Sequence, residues 1–179
     1  DNLILIDACR SDLFKKYNNI SGKYEEKISK GSQTEEFLSK NFKKDDYGDI
    51  VYVSANPNIK FIDAKFHKLI KVWETDWNQE LNTVLPRSVT EQALEAIEKY
   101  PNKRVIIHYL PPHYPFIGET GERLREESII EHHSNGISFW KQLQSDSVPE
   151  KEFIGAYEEN VQIALNEVER LAAELQTKT

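Results

Sequence analysis

Apolar runs alternate with polar, asparagine- and glycine-rich stretches along the chain, and the spacing inside each run predicts alternating strands and helices. Leu3-Ile4-Leu5-Ile6 is continuously apolar, the pattern of a strand buried on both faces. It ends at Asp7, after which residues 10–17 turn polar with helix-compatible spacing. A loop rich in Asn, Ser and Gly occupies 18–22, and Ser32-Gln33-Thr34-Glu35 then opens an amphipathic segment with Phe37, Leu38 and Phe42 on one side. Residues 50–53 read as a second strand, closed by turn residues at 54–58. Weak alternation over 67–73 suggests a third. Residues 88–100 are predicted as a helix with an apolar stripe of Val89, Ala93, Leu94, Ala96 and Ile97, stopped by Pro101. Residues 104–110 form the next buried strand, followed by Pro111-Pro112-His113-Tyr114-Pro115. From about 121 to 147 the sequence is polar and irregular, as in a lid or insertion. Residues 153–176 carry Tyr157, Val161, Ala164, Leu165, Val168, Leu171 and Ala172 at helical spacing.

Strands alternating with helices imply an α/β domain: a mostly parallel sheet with helices on both faces. Ligands of such sheets bind outside the carboxyl ends of the strands. Asp7, residues 54–58 and residues 108–113 all fall there.

Composition narrows the function classes. A chain of 179 residues fits one domain, and 39% hydrophobic with 30% charged residues describes a folded protein rather than a disordered one. The formal charge of −7 argues against a nucleic-acid surface, because no basic stripe is present to neutralise a row of phosphates. A small anionic substrate stays compatible, since bound metal ions reverse the local field. The one cysteine, Cys9, excludes an intrachain disulfide, which fits a reducing, cytoplasmic setting. No apolar run approaches the ~20 residues of a membrane span, and nothing reads as a signal peptide.

The candidate chemistry lies at the strand ends. Asp7 is a carboxylate on a rigid strand end facing the crevice, where metal coordination repays its desolvation; capping of the following helix is the competing reading. His108 and His113 frame a proline-rich loop, the setting of an acid–base or ligand-binding histidine, or of an ordinary exposed loop histidine and a hydrogen-bond partner. Arg10 is able to reach an anionic group or to pair with Asp12. Asn56 suits a ligand hydrogen bond, and Asn-Pro is also a turn signal. Trp73, Trp77 and Trp140 read as packing residues rather than sugar-stacking platforms. His67, His132 and His133 read as structural or surface residues.

Taken in order, these segments resemble the alkaline phosphatase superfamily, in particular its sulfatase-like branch. The resemblance is carried by Leu3-Ile4-Leu5-Ile6-Asp7-Ala8-Cys9-Arg10-Ser11-Asp12, by Gly31-Ser32-Gln33-Thr34, by Val53-Ser54-Ala55-Asn56-Pro57 and by His108-Tyr109-Leu110-Pro111-Pro112-His113-Tyr114-Pro115-Phe116. Tyr157-Glu158-Glu159-Asn160-Val161 is similar to the family helix that precedes its second metal motif. The resemblance implies that Asp7 binds a divalent metal (zinc or manganese, or calcium in a true sulfatase). It also implies that Thr34, at a helix N-terminus, is the nucleophile and a metal ligand. Free amide donors and positive potential favour both a phosphate and an alkoxide there. Ser32 is the reserve nucleophile; the competing structural reading is that Ser32 and Glu35 form a capping box, with Ser32 the cap and Thr34 an ordinary first-turn residue. His113 is expected to face the substrate or its leaving group, with His108, Arg10 and Asn56 as substrate contacts.

Two departures qualify what is expected. Cys9 lacks the x-Pro-x-Arg tail of a formylglycine site, which favours phosphate over sulfate esters and a hydroxyl nucleophile. The Asp-His pair that the family's metal site needs is absent from the chain; its place is the strand expected after Thr179, so the chain reads as part of a longer domain. The expected function is a metal-dependent hydrolase or transferase of a small anionic ester. The alternative is a non-catalytic binding module of the same fold. A dehalogenase-type phosphatase needs an Asp where Cys9 stands, and a dinucleotide site needs a glycine fingerprint that does not follow the first strand.

Overall fold

A computed structural model describes residues 1–42, 46–127, 129–130 and 149–177. At its centre a 4-stranded sheet has every pairing parallel. Its strands are β1 (Asn2–Ile6), β2 (Asp46–Ser54), β3 (Lys65–Lys71) and β6 (Arg104–Tyr109), in the spatial order β1-β6-β2-β3. Register runs Leu5 to His108 across β1 and β6, and Ser54 to His108 across β2 and β6. The carboxyl ends of those three strands therefore lie side by side.

The strand interiors alternate between two apolar layers, as a period of two requires. Val51, Val53, Val105, Ile107 and Tyr109 face a layer made by α4 (Pro86–Lys99) and α6 (Glu150–Thr177), which contributes Val89, Ala93, Ala96, Val168 and Leu171. Ile50, Tyr52 and Ile106 face the opposite layer, where α2 (Thr34–Asn41) packs Leu38 and a short 3-10 turn, Pro57–Phe61, packs Ile59. Each of these fully buried aliphatic side chains contributes roughly 1.5–3 kcal/mol. Helices thus cover both faces of a parallel sheet, as the sequence pattern predicts. α1 (Ser11–Tyr17) is pinned to α6 by Lys16 and Tyr17, both bonded to Glu158.

Several boundaries differ from the sequence reading. β1 lies at the sheet's end rather than inside it: Leu3 is 50% exposed and Ile4, Leu5 and Ile6 are half-buried. β3 starts earlier than expected and stops at Lys71, because residues Val72–Thr75 turn into the one-turn helix α3, which contains Trp73. A small antiparallel pair, β4 (Trp77–Asn78) and β5 (Thr83–Val84), was not legible because two-residue strands carry no periodicity. α4 starts at Pro86, where a missing N–H costs nothing. The stretch read as irregular contains α5, Glu119–Glu126. Most of the rest of that stretch, with His132, His133 and Trp140, lies outside the described residues. Among the described residues no helix is long and apolar enough to cross a membrane.

Candidate functional site

Three chain segments meet at the carboxylate of Asp7. β1 delivers it: the Asp7 amide donates to Tyr109 O at 3.1 Å, extending the ladder one residue past the strand. The chain then turns sharply at Ala8, whose φ of 57° is unusual for a non-glycine residue. Tyr157 of α6 holds that turn, donating its hydroxyl to Ala8 O at 2.5 Å and accepting from the Arg10 amide at 3.2 Å. β2 delivers Asn56. The Ser54 hydroxyl closes a tight turn on Asn56, and the Asn58 amide donates to Asn56 Oδ1 at 2.9 Å. With its oxygen so engaged and only 3% of the residue exposed, Asn56 donates Nδ2 to Asp7 Oδ2 at 2.6 Å.

α2 delivers Thr34 as its first residue. Thr34 Oγ1 donates to Asp7 Oδ2 at 2.9 Å and lies 3.2 Å from Oδ1. Gly31 makes the approach possible, because a Cβ there would sit 2.3 Å from the Phe37 backbone nitrogen. The cap position is Gln33, with no side-chain cap bond. The expected Ser32–Glu35 box does not form; instead the Ser32 amide and hydroxyl both bond Glu36, at 2.8 and 3.1 Å. Lys40 first, and Ser32 after it, hold the Glu36 carboxyl down to about 2.

Beneath Asp7, His108 is 2% exposed, and its Nδ1 lies 3.0 Å from the Tyr52 hydroxyl. Burial lowers the pKa of His108, against the opposing charge of Asp7, and the same burial raises that of Tyr52. Tyr52 is itself fixed by an aromatic cluster, with the Phe66 ring 5.0 Å away centroid to centroid. His113 stands above the site on the proline loop, exposed, with Nδ1 2.6 Å from Tyr114 O. The loop includes cis peptides at Pro111-Pro112 and Tyr114-Pro115. It is tied to α6 by buried Asn160, which accepts from the Ile117 amide at 2.7 Å and donates to Pro115 O at 3.0 Å.

Two clefts open from this point. The larger, about 790 Å³, runs from Asp7 and Thr34 along β1 past His108 and Cys9. The smaller, about 210 Å³, extends from Asp7, Thr34 and His113 toward Trp77, Asn82 and Tyr114. Among the described residues no Lys or Arg lines either one. The donor set suits a hard cation in part: a carboxylate with a hydroxyl and an amide beside it supplies oxygen ligands on one side. Among the described residues no group of three or more His, Cys, Asp and Glu is placed to hold a metal ion.

The structure therefore brings together Asp7, Thr34, Asn56, His108 and His113. It does not bring Arg10, which is exposed, lines neither cleft and makes a two-pronged pair with Asp12 at 3.0 and 2.8 Å. Cys9 lines the larger cleft, but burial, with the Asp12 charge, pushes its thiol up to about 11, leaving little thiolate at neutral pH. Sequence reasoning missed Tyr52, Tyr157 and Asn160 as supports. Asn160 had a signal: it shares the apolar stripe of Ala164, Val168 and Leu171, where an unpaired amide is costly. Fold and site together define a parallel α/β domain with a carboxylate-centred crevice at its strand ends. No family model matches the chain, and neither does any curated protein or solved structure.

Proposed function

We propose that the protein is a metal-dependent hydrolase or transferase of phosphate esters, with Thr34 as nucleophile, on the pattern of the alkaline phosphatase superfamily. One observation carries the reading: the Thr34 hydroxyl, at the start of α2, is hydrogen-bonded to a carboxylate at the end of β1, at the neck of two clefts. The bond to Asp7 orients the hydroxyl, and Asn56 donates to the same carboxylate oxygen, Oδ2, and fixes it in place. A carboxylate alone is too weak a base to deprotonate an alcohol. A divalent ion, which Asp7 and Thr34 would hold, would make the hydroxyl more acidic and supply positive charge for the phosphoryl oxygens. In the attack, Thr34 gives up its hydroxyl proton to water, Oγ1 forms the bond to phosphorus as the ester P–O bond breaks, and the departing oxygen takes a proton. His113, exposed at the mouth, is the residue suited to deliver that proton or to hold the leaving group. The amide donors of the first turn of α2 face the same point and favour the anion.

The test is hydrolysis of 4-nitrophenyl phosphate by the protein in zinc or manganese. Thr34→Ala is expected to lower turnover by about a hundredfold or more while metal binding persists, because Asp7 remains. Ser32→Ala should leave turnover nearly intact; the reverse pattern moves the nucleophile two residues back. Full activity in both removes covalent catalysis from this segment. A preference for sulfate esters counts against the phosphate assignment. Phosphate binding without turnover in any metal leaves the binding-module alternative.

A further inference from the structure

We infer that the smaller cleft is a subsite for a neutral, hydroxylated ring (a sugar or cyclic polyol) carried as the organic group of the ester. The inference rests on the proposed ester chemistry at Asp7 and Thr34 for its position, but not for its binding chemistry. Asp7, Thr34, Asn58 and His113 belong to the walls of both clefts, so a phosphoryl group at Thr34 sits at the neck and its substituent has the smaller cleft before it. At about 210 Å³ that cleft lies below the usual range of self-sufficient ligand pockets, as an annex for one ring should.

Its walls select the ring. Trp77 is half-buried, packed on the core by one part of its surface and lining the cleft with another, so it offers an immobilised aromatic platform. Asn58 and Asn82 add side-chain amides, each both donor and acceptor, half-buried and without a side-chain hydrogen-bond partner among the described residues. Asn82 is held at φ 52° in the turn between β4 and β5, which fixes its side chain at the cleft rather than in solvent-swept loop. Away from Asp7 and His113, the described residues of the cleft wall carry no ionisable side chain but the Tyr114 phenol. An aromatic platform with two unspent amides and no charge matches hydroxyl groups on a ring with apolar C–H faces. A quaternary ammonium group would want the aromatic surface without the amides, and a second anion would find no cation.

Saturation-transfer NMR on the purified protein, without metal or phosphate, tests this with methyl α-D-glucopyranoside and with choline chloride as probes. The glucoside is expected to bind, with saturation strongest on its ring C–H protons. Asn58→Ala and Asn82→Gly (which keeps the positive φ) should each weaken it about five- to tenfold, the worth of one hydrogen bond. Trp77→Phe, which preserves core packing, should weaken it as well; circular dichroism melts verify that each variant is folded. No glucoside binding, binding of choline in preference, or glucoside binding untouched by these substitutions overturns the subsite. Glucoside binding in a protein that hydrolyses no phosphate ester would sink the catalytic reading and leave the subsite standing. Hydrolysis of 4-nitrophenyl phosphate by a protein blind to the glucoside would do the opposite.

Discussion

The hydrogen bond between Tyr52 and His108 has a direction that chemistry can assign. A phenol is a stronger acid than a neutral imidazole N–H, so Tyr52 donates to Nδ1 and His108 carries its proton on Nε2, toward the larger cleft it lines. Tyr52→Phe leaves a buried ring nitrogen without its donor, which costs about 1–3 kcal/mol and mixes the two tautomers. The ¹⁵N shifts of the His108 ring report the change directly. The same histidine makes stability depend on pH. Burial depresses its pKa in the folded state below the ordinary 6.5, with Asp7 the opposing charge and Tyr52 the neutral neighbour. The unfolded chain therefore binds the extra proton first as pH falls. Stability is full above about pH 6.5 and is lost as the pH drops through the folded value. Urea midpoints measured across that window should fall more steeply for the wild type than for His108→Gln. Asp7 and His113 were legible because each follows an apolar strand, and His108 because it interrupts the apolar run of β6, whereas Tyr52 hides within a strand as one more aromatic and only its partner reveals its task.

At the scale of elements, the site depends on contacts between segments far apart in sequence. Asn160, itself buried, joins α6 to the proline loop through half-buried backbone groups on Ile117 and Pro115. Asn160→Leu strands those groups and should cost roughly 2–4 kcal/mol in urea unfolding. Asn160→Asp, which keeps the acceptor for Ile117 and loses the donor for Pro115, should fall between. Gly31→Ala acts on α2 alone: the new methyl meets the Phe37 backbone, pushes the first turn away and stretches the Thr34–Asp7 bond. Turnover of an ester substrate should then fall, and the melting temperature with it, because the atoms met are backbone. The periodic helices α4 and α6 and the apolar strands were readable because burial repeats along them. The opening of α2 was misread by one turn position, since Ser32 finds Glu36 rather than Glu35 once Gln33 takes the cap. The β4–β5 pair has nothing to repeat, and its role as the far wall of the smaller cleft appears only in three dimensions.

For the molecule as a whole, a formal charge of −7 and clefts with no Lys or Arg among the described residues that line them leave an anionic substrate only amide, hydroxyl and imidazole donors to meet. Titration calorimetry of the 179-residue chain with zinc or manganese should show weak binding, because Asp7 and Thr34 make a partial shell. Tight stoichiometric binding abolished by Asp7→Ala would reveal further ligands within it. The parallel α/β architecture was readable from alternation alone, but the position of β1 was not, since a continuous apolar run says nothing about which neighbours a strand has. That position has a consequence for how the chain behaves in a crowd. The sheet ends in two unlike margins. β3 is studded with Lys65, Lys68 and Lys71, which repel another strand's approach; β1 reads Asn-Leu-Ile-Leu-Ile, with no charge to turn one away. Among the described residues the outer rim of β1 pairs with nothing, so at high concentration it is the seam along which copies would zip together. Light scattering of the chain should grow with concentration, and Leu3→Lys should quiet it without disturbing the fold.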